Sequence, residues 1–165
     1  MQFQKTSSER RAHILIGFMD SSVVVASELF TICDATLFHF GVLTSTMHMA
    51  WVRAVCGRLE SRYRYSAQIV YNNFPWPQKL EEKHRAAIEM CAQAVLDARA
   101  AHTGATLAQL YDPATMPPAL TRAHAALDRA VDAAYRLDGG PRSYADDARR
   151  VAFLFRRYAA LTSLV

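Results

Sequence analysis

The rhythm of hydrophobic and polar positions changes at Asn73-Phe74-Pro75-Trp76-Pro77. Two prolines bracketing a tryptophan fix φ twice and remove two backbone donors, so neither a helix nor a central strand runs through. Before this point the sequence is β-branched and aromatic around one helix; after it alanine dominates and helix signals recur. The pattern predicts two parts, 1–77 and 78–165, in an α+β chain that is mostly α. A mixed α/β first part is followed by an antiparallel helical bundle.

Within the first part, His13-Ile14-Leu15-Ile16-Gly17-Phe18 reads as a short strand. Val23 to Ala26 and Leu29 to Ile32 are further strands, with a turn at Met19-Asp20-Ser21-Ser22. Asp34 is placed to cap a helix starting at Ala35. Leu37, Phe40, Val42, Leu43, Met47, Trp51, Val52 and Val55 recur at helical intervals, and Gly57 is a natural stop. Leu59 to Ser66 then alternates and Gln68 to Tyr71 is apolar, which predicts two strands or a hairpin.

In the second part, Lys79 to about His102 repeats apolar residues at Leu80, Ala87, Cys91, Ala94, Val95 and Ala98. Thr103-Gly104 breaks that helix, and Thr106-x-x-Gln109 has the form of a capping box. Pro117-Pro118 opens another helix, with a stripe at Leu120, His124, Leu127, Val131 and Ala134, and Gly139-Gly140-Pro141 closes it. Ser143-x-x-Asp146 then caps a last helix with Val151, Ala152, Phe155, Tyr158, Ala159 and Leu161 facing inward.

Composition narrows the class without naming a function. Apolar residues make up 52% of 165 and the mean hydropathy is −0.02, enough to build a core. The most apolar region, Ala35 to Cys56, is interrupted by His39, Thr44, His48 and Arg53, so it lacks the roughly 20 unbroken apolar residues of a membrane span. The start, MQFQKTSSERR, has no apolar signal core. Three cysteines, Cys33, Cys56 and Cys91, form neither a disulfide nor a zinc framework by spacing. These features point to a cytoplasmic protein with no membrane partner. A charge of +4 permits a polyanionic partner but does not require one.

The densest chemical text is Gly57-Arg-Leu-Glu-Ser-Arg-Tyr-Arg-Tyr-Ser66. If Leu59 to Tyr65 is a strand, Glu60, Arg62 and Arg64 project from one face, and Tyr63 and Tyr65 from the other. Arginine can donate twice to guanine O6 and N7, while glutamate accepts from the cytosine amino group. Glu60 and Arg62 could therefore read both halves of one C·G pair, with Arg64 one step along. Spacing alone favours the plainer alternative, an exposed salt bridge worth about 0–1 kcal/mol, with the tyrosines in the core. Ser7-Ser8-Glu9-Arg10-Arg11 and Arg58 are open either to phosphate contact or to solvent. His39, His48, His84 and His124 have no metal-ligand spacing and read as core or boundary residues. Asn72-Asn73-Phe74-Pro75-Trp76 invites comparison with the Asn-Pro-Pro-aromatic loop of amino methyltransferases. Proline does not follow asparagine here, and a corner joining the parts, with Trp76 wedged between them, is the better reading.

Taken together, SSERRAHILIGF (7–18), ATLFHFGVLTSTMHMAWVRAVCGRLESRYRYS (35–66), IVYNNFPWP (69–77) and LYDPATMPPALTRAHAALDRAVDAAY (110–135) resemble the C-terminal end of MmeI-type proteins. These are large single-chain DNA methyltransferases, many fused to a restriction nuclease. The resemblance implies that 1–77 is the end of a truncated target-recognition domain and 78–165 a C-terminal helical domain. Glu60 and Arg62 match the two positions that jointly choose a C·G or G·C pair, Arg64 matches another base-reading position, and Glu28 resembles an upstream partner. Arg10, Arg11 and Arg58 would be weaker backbone contacts. The implied partners are double-stranded DNA and a methyltransferase domain in the same parent chain. The implied cofactor, S-adenosylmethionine, and the catalytic residues would belong to that domain, leaving none in this segment. Two competing classes remain: a helical protein-interaction module without DNA contact, and a self-contained methyltransferase using Asn73.

Overall fold

The computed structural model describes residues 1–19 and 26–163; the expected turn at 19–22 and strand at 23–26 fall almost wholly on 20–25, outside the described residues. Two small antiparallel sheets form at the start of the chain. β1 (Gln2–Gln4) pairs with β3 (Leu29–Thr31). β2 (Thr6–Ser7), β4 (Gly57–Leu59) and β5 (Arg62–Arg64) form the other, in the order β2-β5-β4. Lys5 stitches them: its N–H donates to the Glu28 carbonyl (3.0 Å) and its carbonyl accepts the Tyr65 N–H (2.7 Å).

The expected strand at His13–Phe18 does not form. The Ile16 N–H turns back onto the Ile14 carbonyl (3.1 Å), a local bond that removes it from any ladder. Only Gly17 bridges to Gln2. Ile14 and Ile16 are nonetheless buried, so the alternation reported burial and not pairing.

The expected single helix is two. α1 (Leu37–Thr44) and α2 (Thr46–Val55) meet at Ser45, whose backbone is extended (φ −75°, ψ 161°). Ser45 serves both ends, its hydroxyl donating to the Val42 carbonyl (2.7 Å) and accepting the His48 N–H (3.4 Å). The Asp128 carboxylate takes the Thr46 N–H at 2.7 Å. Apolar spacing continues through the break, which hides it. Asp34 is not the cap of α1: it is left-handed (φ 51°), and Thr36 occupies the cap with the His39 ring accepting its N–H at 3.2 Å. Ala67–Tyr71 is a π-helical turn instead of a strand. The Ser66 hydroxyl accepts the Ile69 N–H, and the Asn73 amide donates to the Gln68 and Ile69 carbonyls.

α3 (Glu82–Ala100) buries Ile88, Ala92, Val95 and Arg99, one position round from most of the expected stripe. Leu80 precedes the helix, and Ala94 faces solvent. The short α4 (Leu107–Leu110) carries the expected capping box from Thr106 and Gln109. α5 (Pro118–Ala134) opens on Pro118 and buries all five expected residues. A 3₁₀ turn (Tyr135–Asp138) ends at left-handed Gly139 (φ 87°), the conformation glycine adopts without strain. α6 (Asp147–Thr162) is capped by Asp146 alone and buries Phe153 and Leu154. The expected Ala152 and Ala159 are exposed.

α3 and α5 are antiparallel: the N–H groups of Gln78 and Lys79 bond the Asp138 carboxylate at one end, and Arg99, Tyr111 and His124 connect at the other. α6 uses α2 as its main helical partner, through Trp51–Phe155 (5.2 Å) and an Arg53–Asp147 ion pair. Salt bridges from Arg150 to Asp132 (2.9 Å) and Arg157 to Asp138 (3.1 Å) hold its other side to the end of α5. The first-part helices thus enter the same core as the second-part ones, and a single apolar cluster runs from Phe3 to Leu154. The chain is α+β and mostly α.

Candidate nucleic-acid interface

β4 and β5 are a hairpin in register Gly57↔Arg64, Arg58↔Tyr63 and Leu59↔Arg62, leaving Glu60 and Ser61 as its two-residue turn. Such turns need positive φ at their first central residue, which normally selects glycine or asparagine. Glu60 occupies it at φ 57°, at a backbone cost of roughly 1–3 kcal/mol. The strain places its carboxylate at the hairpin tip, 79% exposed, where it accepts from Arg62 at 3.0 Å. The face assignment therefore holds for Arg62 and Arg64, which are exposed, while Glu60 joins them from the turn and not from the strand.

The opposite face anchors the hairpin. Tyr63 and Tyr65 are buried, which removes them from any stacking role. Tyr65 packs edge-on against Phe3 (4.8 Å) and contacts Phe30 (5.3 Å), and its hydroxyl shares a proton with His48 Nε2 at 3.0 Å. Burial pushes the Tyr65 phenol well above its ordinary range and pulls the His48 imidazole down to about 3. Both groups are neutral at any working pH, so the pair is a fixed post under the exposed arginines.

Arg64 opens onto a cleft of about 770 Å³ between β3, β5 and the π-helical turn, with Lys5, Ser66 and Gln68 as polar walls and Phe30 and Ile69 as apolar ones. Glu28 is exposed and precedes β3, its carbonyl linked through Lys5 to Tyr65. The structure thus brings Glu60 and Arg62 together at the tip and Arg64 to the cleft below, whereas Glu28 is not among the residues that line that cleft. Lys5 and Gln68 escaped the sequence reading, because only tertiary pairing delivers them there.

The other arginines separate. β2 runs beside β5 with Thr6 opposite Arg64 and Ser7 opposite Tyr63, so the chain leaves it toward the hairpin tip. Arg10 is 85% exposed, with Glu9 4.0 Å away. Arg11 is half-buried and lines a different cavity of about 390 Å³ with Ser7, Ser8 and Leu107. Arg58 lies against the hairpin itself, its guanidinium 4.1 Å above the Tyr63 ring.

Asn73 does not fit a methyltransferase site. Its NH2 group donates to two backbone carbonyls of the π-helical turn, which folds the side chain back onto its own segment. The Pro75 carbonyl, the other acceptor such a loop needs, already takes the buried Tyr135 hydroxyl at 3.1 Å. That bond, not Trp76, ties the corner to the second part; the aromatic contacts of Trp76 are Phe38, His39, Tyr71 and Phe74. Among the described residues, no cluster of His, Cys, Asp and Glu could hold a metal ion, and no helix is long and apolar enough to cross a membrane. His48 and His124 are buried packing histidines.

Two family models match the chain. "MmeI, target recognition domain" matches residues 2–78 and "MmeI, C-terminal domain" matches 80–165. The chain belongs to the MmeI family. It is 40% identical over 156 residues to "DNA methyltransferase A" of Bacillus subtilis (strain 168), covering 94% of this chain and 17% of that protein. It also resembles a solved structure of the Type IIL restriction-modification enzyme MmeI in complex with DNA. The identity is 47% and the TM-score 0.92, over 98% of this chain and 21% of that one. The chain spans about a fifth of the length of these MmeI relatives.

Proposed function

We propose that this chain is the base-reading and bracing portion of a longer DNA methyltransferase that modifies the amino group of adenine. The observation that carries the reading is a strained, exposed Glu60–Arg62 pair on a segment that matches a target-recognition domain. An ordinary surface salt bridge needs no left-handed glutamate. Here the strain sets an acceptor beside a donor fork, the combination that a C·G pair accepts in the major groove. Arg64 reads a further base from the cleft, and Glu28 is a looser partner from the exposed segment before β3. Arg10 and Arg11 are weaker phosphate contacts, Arg10 being the more exposed of the two.

In this reading the partner is double-stranded DNA, and the second partner is a methyltransferase domain of the same parent polypeptide. S-adenosylmethionine and the transfer chemistry reside in that domain, since the proline carbonyl that such a loop would offer is here taken by the Tyr135 hydroxyl. The parent works in the cytoplasm, where its DNA substrate is. The competing reading, a helical docking module, has weaker support: its exposed large apolar side chains, Met90, Leu137 and Phe155, are divided among α3, the 3₁₀ turn and α6.

Exchanging Glu60→Lys together with Arg62→Asp in the full-length parent should change which base pair is accepted at one position of its site. Sequencing of methylated products from a randomised duplex pool reads that change. A uniform fall in methylation across all sequences would make the pair structural and sink the proposal.

A further inference from the structure

Arg58 lies on the same hairpin as the proposed readers, yet its side chain, though exposed, is committed to the hairpin itself. Its guanidinium sits 4.1 Å over the Tyr63 ring, and Tyr63 is its cross-strand partner in the register. From there Nη1 donates to the Ser61 carbonyl at 3.1 Å. Ser61 is the second residue of the two-residue turn whose first residue is Glu60, left-handed at φ 57°. One side chain therefore stacks on the buried base of the hairpin and clamps the carbonyl that follows the strained residue.

From this geometry we infer that Arg58 is a positioning residue for base discrimination: it holds the turn that aims Glu60 at its base and does not itself neutralise a phosphate. The inference rests on the base-reading role proposed for Glu60 and Arg62. A strained turn persists only where its surroundings over-determine it, and β4 gives little help, since Gly57, Arg58 and Leu59 are all exposed. The Tyr63 ring is fixed in the core and provides the rigid platform. A guanidinium suits this post because it stacks flat on an aromatic face and donates from a planar fork, neither of which an ammonium reproduces.

The distinction from phosphate contact can be measured. The full-length parent and its Arg58→Ala and Arg58→Lys variants are compared on a duplex pool randomised across the recognition site, with affinity followed against salt. Thermal unfolding verifies that each variant is folded. A positioning role predicts that both variants lose discrimination at the single base pair read by Glu60 and Arg62, by roughly tenfold or more. It also predicts that the slope of log affinity against log salt stays unchanged. A phosphate contact predicts that Arg58→Ala weakens all sequences alike and reduces the salt slope by about one, with Arg58→Lys restoring both; that result overturns the inference. The Glu60→Lys, Arg62→Asp double variant serves as the control. If it switches base preference while Arg58→Ala causes only a uniform loss, the positioning role fails and base reading stands. If it switches nothing, base reading itself fails, and this inference with it.

Discussion

Arg99 is the residue on which the two parts of the chain most directly lean. It is buried on α3, donates to the Tyr111 hydroxyl and to the Ile16 carbonyl, each at 2.7 Å, and lies 5.1 Å from the Phe40 ring centroid. Tyr111 passes the contact to His124 on α5 at 2.6 Å, and the His124 ring stacks on His13 at 3.9 Å. The Ile16 carbonyl would otherwise be an orphan, since the 13–18 segment forms no strand to pair it. Hydrogen bonds to a charged group contribute about 1.5–3 kcal/mol each. Arg99→Met keeps the volume but leaves the carbonyl and the phenol without a donor, so it should cost about 3–6 kcal/mol by that scale. Urea unfolding would check this as a lower midpoint at unchanged slope. A loss under 1 kcal/mol would mean that water replaces the guanidinium. No feature of the sequence singles this arginine out, because a lone basic residue on an alanine-rich helix ordinarily faces solvent.

Helix crossings decide the elements. Gly41 lies mid-α1, where glycine costs up to about 1 kcal/mol relative to alanine, and the structure gives the reason it is there. A Cβ at this position would sit 2.7 Å from Ile88 Cγ2 and 3.2 Å from Leu127 Cδ1, so α1 touches both α3 and α5 through a missing side chain. Gly41→Ala should therefore destabilise by about 1–2 kcal/mol, overpacking outweighing the gain in helix propensity; denaturant titration of the variant reads it. A stabilised variant would mean that Ile88 shifts freely. The same crossings explain which elements the sequence disclosed. α5 was legible to the residue because one flank of it is core, and the α4 capping box is a purely local signal. α6 was mis-phased because it is held on two flanks, by Trp51 and Arg53 on one side and Asp132 and Asp138 on the other. The break at Ser45 leans on Asp128, 82 positions along the chain, which no local pattern carries. The π-helical turn at Ala67–Tyr71 is instead held by nearby Ser66 and Asn73 and was hidden by an apolar run that strands share. At the candidate interface, alternation disclosed the outward arginines and inward tyrosines, whereas the left-handed Glu60 and the stacking of Arg58 on Tyr63 follow from the turn and the register.

Across the whole molecule, buried histidines lie both under the β4–β5 hairpin and between the two parts of the chain. His48 sits beneath the hairpin against Tyr65, and His13 and His124 stack between the two parts. Burial is the first cause in each case, holding His48 at about 3, His124 at about 2 and His13 below its ordinary value, with Arg99 and the neighbouring histidine adding to the effect on His124. An unfolded histidine titrates near 6.5. Above that value both states are neutral and these groups leave stability flat. As the pH falls from 6.5 toward 3, the unfolded chain takes up protons that the fold refuses, and each histidine removes about 1.4 kcal/mol per pH unit. His48 and His124 together would remove about 5 kcal/mol by pH 4.5, comparable to the whole stability of a small protein. Acid unfolding should therefore begin below pH 6 and take the hairpin and the bundle in one transition, because one histidine site lies under the first and the other joins it to the second. Tryptophan fluorescence, which reports Trp51 packed against α6 and Trp76 at the corner, should change at the same pH as far-ultraviolet dichroism. His124→Gln, which keeps a polar partner for Tyr111, should flatten the pH dependence by about one histidine's slope. Two separated acid transitions, or a slope untouched by that variant, would show that the two parts do not unfold as one.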